Sequence, residues 1–247
     1  MGIMALLKYL NKLDRVGVWD DPNMQSWLKE RFTVDALKKA KIFPFRLYIA
    51  YKNVSNQFVS NFLADVLDEY VQKYDWNKWN GSFVIAPDVS GSMVQKVGSS
   101  NLTPATIAGM FSGILYKGTP DSQIIPWNTE IHLHKVPKRD SVISHIKAIE
   151  TANGGGTYME VPVNYMIENS IPCDYFIIVT DSQEWGSGWL DVWKKYHSKH
   201  PNSKAVMIRV DPYPTQPFPD NKAREYNIYQ IFGWSDNVIG YIEQCIL

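Results

Sequence analysis

Three short stretches of this sequence carry oxygen-bearing side chains of the types and in the order that a hard divalent cation would need. Asp88-Val89-Ser90-Gly91-Ser92 follows, across Pro87, the run Phe83-Val84-Ile85-Ala86, which reads as a buried strand. Thr157 closes Gly154-Gly155-Gly156, and Asp181 follows Thr180 at the end of Tyr175-Phe176-Ile177-Ile178-Val179. A cation such as Mg²⁺ takes a near-octahedral shell of oxygens and keeps several waters, so hydroxyls and carboxylates are the suitable residue types. Asp-x-Ser-x-Ser alone is a weak signal, because Asp, Ser and Gly also favour turns and helix caps; a plain strand-to-loop turn accounts for it as well. The conjunction of the three, in order and with two of them behind hydrophobic runs, is what argues for a site.

Positioning such a set requires strands that end at one rim. From residue 82 onward strand-like and helix-like stretches alternate. Candidate strands are 82–87, 122–127, 130–136, 174–180, 204–210 and 227–232; candidate helices are 103–117, 140–150, 157–169, 187–198 and 235–246. Runs of Ile, Val and Phe without polar alternation suit a sheet covered on both faces. The pattern predicts an α/β fold with a doubly wound, mostly parallel sheet, in which ligands bind beyond the carboxyl ends of the strands, where Asp88 and Asp181 would lie. The loop 211–220 holds four prolines and is expected to wrap the sheet edge. Before residue 80 the apolar spacing is helical. Positions 3, 6, 7 and 10 recur in Ile3–Leu13, Thr33 is a plausible cap within Asn23–Ala40, and Pro44–Tyr51 is a short amphipathic piece. Val54–Tyr74 repeats Phe58, Phe62, Val66 and Tyr70 beside Val59, Leu63 and Leu67, an aromatic stripe that fits core better than base stacking.

Taken together, the three stretches resemble the metal-ion-dependent adhesion site of von Willebrand factor A domains, whose pattern is Asp-x-Ser-x-Ser, a distant Thr and a more distant Asp on three loops. The resemblance implies that Ser90, Ser92 and Thr157 touch the metal while Asp88 and Asp181 stand at its edge, partly through water. Few direct negative charges would then leave the ion, Mg²⁺ first and Mn²⁺ as the alternative, electrophilic toward one more oxygen from a partner's carboxylate. Glu184 and Trp185 would lie on the rim, Glu184 modulating metal affinity and Trp185 touching a partner; loop packing is the competing reading for both.

Composition admits this and excludes other classes. With 247 residues, 45% of them hydrophobic, the chain can bury a sizeable core, and its 25 basic and 25 acidic side chains leave no strongly basic footprint. The balance is uneven: residues 1–80 carry a basic surplus of three, and 29–52 a surplus of five. Lys38, Lys39, Lys41 and Arg46 are the candidates there for phosphate contacts, against the alternative of a solvated helix face. Cys173 and Cys245 show no CxxC or zinc spacing and are expected to be reduced and packed, which points to the cytoplasm. No apolar run approaches the roughly 20 residues that span a bilayer, and the start is too short for a signal peptide.

A closer resemblance takes in the helical part. Met4-Ala5-Leu6-Leu7-Lys8-Tyr9-Leu10, Leu37-Lys38-Lys39-Ala40-Lys41-Ile42-Phe43-Pro44-Phe45 and the Asp88–Met93 segment look like the later part of the Ro autoantigen family, in which a TROVE ring of helical repeats is joined to a von Willebrand A domain. Residues 1–80 would be the end of the repeats and 81–247 the A domain. The resemblance implies a cytoplasmic ribonucleoprotein component that binds small noncoding RNA, Y RNA or misfolded RNA. About eighty residues cannot close a ring whose two-helix repeats take about 40 each, so the chain would be a fragment, a short relative or a piece of an assembly that replaces the missing repeats. The alternative function is a metal-dependent protein interaction module without an RNA role. An enzyme is not expected: no phosphate loop or Gly-x-Ser-x-Gly elbow is present, His132 and His134 on one side of a strand could pair on a metal but read better as an exposed edge, and His197 and His200 read as partners of helix carbonyls.

Overall fold

The computed structural model describes residues 1–76, 79–96, 102–152, 154–183, 188–210, 218, 220–235 and 237–246. These fall into two compact units, Met1–Asp75 with Ser141–Ile143, and Trp76–Asp140 with Ser144–Leu247.

The first unit is helical: α1 (Ile3–Asp14), α2 (Pro22–Arg31), α3 (Val34–Lys39), α4 (Pro44–Asn53) and α5 (Gln57–Lys73). Short polar residues start three of them. Asp21, Thr33 and Asn56 accept the N–H groups of Asn23, Ala36 and Val59, and Pro22 and Pro44 sit where a helix needs no donor. The long stretch of helical spacing between 23 and 40 is thus broken at Thr33. Helix α3 ends in a Schellman arrangement: Ile42 N–H reaches Leu37 C=O at 2.9 Å, with Lys41 in the left-handed region at φ 52°. On α5 the buried side chains are Val59, Phe62, Leu63, Val66, Leu67, Tyr70 and Val71, so the stripe is core from Phe62 onward and Phe58 is half-buried.

The second unit runs β1 (Ser82–Pro87), α6 (Pro104–Gly118), β2 (Asp121–Ile124), α7 (Val142–Thr151, its first two residues grouped with the helical unit), α8 (Val161–Glu168), β3 (Tyr175–Thr180), α9 (Trp189–Lys199), β4 (Lys204–Arg209), α10 (Asp220–Glu225), β5 (Ile228–Phe232) and α11 (Val238–Ile246). Five strands pair in the order β2-β1-β3-β4-β5, all parallel. Beyond their first residue, β1, β3 and β4 are buried throughout. Val84, Ala86, Phe176, Ile178, Ala205 and Met207 pack against Val163 and Met166 of α8 and Trp189, Trp193 and Tyr196 of α9. The alternate residues Phe83, Ile85, Ile177, Val206 and Ile208 are buried on the opposite face. Helix α6, buried from Pro104 to Leu115, packs over β1, β2 and β3. Because β1 connects outward to β2 while β3 and β4 continue on its other side, the strand order reverses between β1 and β3. That is the place where a doubly wound sheet opens a crevice at its carboxyl edge.

The expected strand 130–136 is absent. Pro126 has no N–H to continue the ladder, and after a tight turn at Asn128 the chain makes one antiparallel bridge, Trp127 with Ile131. The alternating apolar positions beyond it find no core: Leu133 is 78% exposed. Helix 157–169 starts later than expected, at Val161, because 157–160 form the loop that carries Thr157. Helix α10 begins at Asp220, the last residue of the expected loop, and covers 221–225, for which the sequence sets no expectation; residues 211–217 and 219 of the proline-rich stretch lie outside the described residues.

Candidate metal centre

Asp88 leaves β1 at the switch point. Its N–H still pairs with Val179 C=O at 2.9 Å, so the ladder with β3 fixes the residue up to its side chain. The carboxylate is fully buried: Oδ1 accepts Ser90 N–H at 2.8 Å, and Oδ2 accepts the Thr180 hydroxyl at 2.6 Å. The first bond folds 88–90 into a turn, which makes Ser90 extended and starts the single helical turn Gly91–Val94. Ser90 and Ser92 then present their hydroxyl oxygens 3.3 Å apart.

The glycine-rich loop is fastened to this turn by its backbone. Gly154 N–H donates to Val89 C=O and Gly91 N–H to Gly155 C=O, each at 3.0 Å. Asn128, at the carboxyl end of β2, donates from Nδ2 to Gly154 C=O at 2.8 Å and accepts Tyr158 N–H at its own carbonyl. Gly155 has φ 72°, which strains an L-residue, and a Cβ there would crowd Asn128 Nδ2 at 3.1 Å, so both conformation and space favour glycine. Thr157 is buried directly after this loop.

From β3 come Thr180 and Asp181, both buried. The Thr180 hydroxyl donates to Asp88 and accepts Ser182 N–H at 3.0 Å, so one side chain joins two of the loops. Asp181 Oδ1 accepts Gln183 N–H at 3.0 Å. The structure therefore brings the loops bearing Asp88, Ser90, Ser92, Thr157 and Asp181 to one rim. Glu184 and Trp185 lie outside the described residues.

The electrostatics are those of two carboxylates held together out of water. Burial pushes the Asp88 carboxyl up to about 7, hydrogen bonds from Ser90 and Thr180 pull it down, and the negative charge of Asp181 raises it again. Among the described residues no three His, Cys, Asp or Glu side chains converge on one point. An ion here would depend on hydroxyls and water as well as carboxylates, the donor set of Mg²⁺ or Mn²⁺ and not of zinc. Two adjacent octahedral ligands about 2.1 Å from Mg²⁺ lie about 3.0 Å apart, close to the spacing of the two serine oxygens. These residues fit such a cation.

Residue type and spacing alone assign no role to Thr180, Asn128, Ser182 and Arg209. Thr180 stands inside the Thr-Asp pair, and its hydroxyl beside Asp181 was the available signal. Asn128 follows Pro126-Trp127 at the same strand edge, a position that only the topology reveals.

The other expected sites are dispersed. His132 and His134 are half-buried and do not form the expected exposed edge, and His134 Nε2 shares a hydrogen with Nδ1 of buried His145 at 2.8 Å. His197 meets the Asn227 amide and His200 stacks on Tyr196, so their rings have side-chain partners in place of the expected helix carbonyls. Both cysteines are free and buried, their thiols raised by burial to about 12 and about 11. In the helical unit Lys38, Lys39 and Lys41 are exposed and Arg46 is half-buried over the Phe45 ring. Lys38 Nζ donates to Lys73 C=O at 2.5 Å.

A parallel sheet with three loops meeting at the switch point around buried Asp88, Ser90, Thr157 and Asp181 is the arrangement of a von Willebrand factor A domain. Residues 82–210 match the model of the Ro60 vWA domain and residues 1–85 that of the TROVE domain. The chain belongs to the Ro family, with a TROVE segment followed by an A domain. It is 25% identical over 231 residues to the RNA-binding protein RO60 of Caenorhabditis elegans, a match covering 86% of this chain and 36% of that protein. The crystal structure of the Deinococcus radiodurans RO (RSR) protein shares the fold, with a TM-score of 0.79 at 19% identity over all of this chain and 53% of that one. The chain thus spans about a third of its curated relative and about half of the solved one.

Proposed function

We propose that this chain is an RNA-binding ribonucleoprotein component whose A domain holds a divalent cation, Mg²⁺ or alternatively Mn²⁺, at Ser90, Ser92 and Thr157 with Asp88 and Asp181. The observation that carries the metal reading is the buried pair Asp88 and Asp181, which shares one rim with the serine hydroxyls and raises its own electrostatic cost in the absence of a cation. When bound, the cation supplies a Lewis-acidic point for one further oxygen. The chain's own groups do the rest: Asp88 orients Ser90, Thr180 ties Asp88 to the β3 loop, and Asn128 holds the glycine loop in place. The partner in this reading is a protein carboxylate, and no catalytic role is part of it. Buried free cysteines fit a reducing compartment, and we place the protein in the cytoplasm.

The RNA reading draws on TROVE membership and on the relative named as RNA-binding. Small noncoding RNA, whether Y RNA or misfolded RNA, is the proposed partner, with exposed Lys39 and Lys41 as the phosphate contacts, joined by Lys38 and Arg46. A larger assembly would supply the remaining repeats. The second reading, a metal-dependent protein module without RNA, is favoured by the engagement of Lys38 with the end of α5 and by the balanced net charge. A salt series of RNA binding, with Mg²⁺ or chelator, tests between them. A steep slope that flattens when Lys39 and Lys41 are neutralised supports the RNA role, and binding no tighter than a nonspecific control favours the second reading.

A further inference from the structure

The residue after Asp181 has an unusual backbone. Ser182 is 7% exposed and has φ 61°, the left-handed region that an L-residue enters only when its surroundings hold it there. Glycine would adopt this conformation freely, so a serine at this place is explained if its hydroxyl is used. Its Oγ accepts the Nε–H of Arg209 at 2.9 Å. Arg209 is the last residue of β4, in register opposite Thr180, and its guanidinium carbon lies 4.5 Å from the centroid of the Phe232 ring on β5. The side chain is fully buried. A long cation placed wholly inside a domain needs compensation, and these contacts give it both a polar and an aromatic partner.

Donors and acceptors then run in one consistent direction toward the candidate centre. Arg209 Nε–H donates to Ser182 Oγ, Ser182 N–H to Thr180 Oγ1, and the Thr180 hydroxyl to Asp88 Oδ2. Next to this chain, Gln183 N–H closes on Asp181 Oδ1 at 3.0 Å. We propose that Arg209 is a positioning residue: acting through Ser182, it latches the β3 loop in the turn that points Asp181 and the Thr180 hydroxyl at the centre. Arg209 does not touch the cation. The inference rests on the cation-site reading for its functional effect, but the latch itself exists in the metal-free protein.

The test uses the full chain with Ser182→Gly, Arg209→Met and the double variant. Each is first checked for a wild-type urea midpoint; Ser182→Gly retains it because glycine tolerates the left-handed turn. Binding of Mn²⁺ alone is then followed by electron paramagnetic resonance. Supporting residues around metal ligands typically contribute 10–100-fold to affinity, so Ser182→Gly weakens Mn²⁺ binding about tenfold or more. Arg209→Met does the same, and the double variant loses no more than the worse single one, because both act on one path. Wild-type affinity in folded Ser182→Gly overturns the proposal. If the wild-type chain binds no Mn²⁺, the cation reading fails on its own, and the latch is judged by amide exchange without metal. Exchange of Gln183 N–H then accelerates about tenfold or more in the variants while β3 amides are unchanged, and unchanged Gln183 exchange overturns the latch.

Discussion

Replacing Asp88 with asparagine separates what this residue does for the fold from what it does for a cation. In the metal-free protein its carboxyl is raised from 3.8 to about 7, chiefly by burial. A carboxyl raised on folding contributes its full stability below the unfolded value, near pH 4, and loses it as pH climbs through 7. The loss amounts to roughly 4 kcal/mol by pH 8, three pK steps at about 1.4 kcal/mol each. Asparagine keeps an oxygen for Ser90 N–H, and its amide can donate to Thr180 Oγ1, which then turns its own hydrogen elsewhere. That rearrangement costs about 1–2 kcal/mol. Asp88→Asn is therefore expected to be more stable than wild type by about 2–3 kcal/mol at pH 8 in chelator, and to lose the fall in stability between pH 5 and 8. In saturating Mg²⁺ the order narrows or reverses, because wild type alone gains about 2.7 kcal/mol at a hundred times its dissociation constant. Urea unfolding followed by tryptophan fluorescence at pH 5 and 8, with chelator or Mg²⁺, reads all four values. A variant less stable than wild type in chelator at pH 8 would show that Asp88 is not a destabilising buried charge, and one that Mg²⁺ stabilises as much as wild type would show that Asp88 does not hold the cation.

Acid should weaken the A domain through a different pair. Burial holds His145 down to about 4, its neighbour His134 adding to the effect, so stability is complete above 6.5 and falls by about 3 kcal/mol as pH drops toward 4; His145→Gln should flatten that limb in pH-dependent urea melts. Gly155→Ala, which forces a side chain into the left-handed region against Asn128, should reduce Mn²⁺ affinity severalfold and stability by about 1–2 kcal/mol, measured by calorimetry and denaturation. Trp193 is fully buried, stacks on Phe176 at 5.8 Å and donates to Tyr226 C=O, so Trp193→Ala should cost about 3–5 kcal/mol in urea unfolding. If small RNA is bound in single-stranded form, neutralising Lys39 and Lys41 should lower the log–log salt slope by about 0.7 each, and an unchanged slope would remove them as phosphate contacts.

The sheet was legible in the sequence wherever strands are buried on both faces. Phe83–Ala86 and Tyr175–Thr180 are apolar runs that no amphipathic helix explains, and a carboxylate follows each within two residues. The stretch 130–136 misled because alternation of Ile131 and Leu133 with polar residues has the strand period, whereas only pairing decides whether a ladder forms. Pro126 and the turn at Asn128 prevented it, and Leu133 is exposed. For the candidate centre, the residue types and their order could be read directly, since oxygen donors at the ends of strands are few. Thr180, Asn128, Ser182 and Arg209 could not be read in the same way. Their roles depend on which strand lies beside which: Arg209 is opposite Thr180 only because β4 pairs with β3 in that register. Likewise the charges on Lys38 and Arg46 were visible, but not that one caps α5 and the other lies over Phe45.

Crystals of the chain grown with Mn²⁺ and measured at its absorption edge would show whether this rim holds a cation. A bound cation gives one strong anomalous peak beside Ser90 Oγ, Ser92 Oγ and Thr157 Oγ1, with Asp88 and Asp181 at or just beyond coordination distance, and no such peak in Asp88→Ala. Wild-type crystals without a peak at that rim, or an Asp88→Ala variant that keeps it, would contradict the assignment of this centre as a cation site.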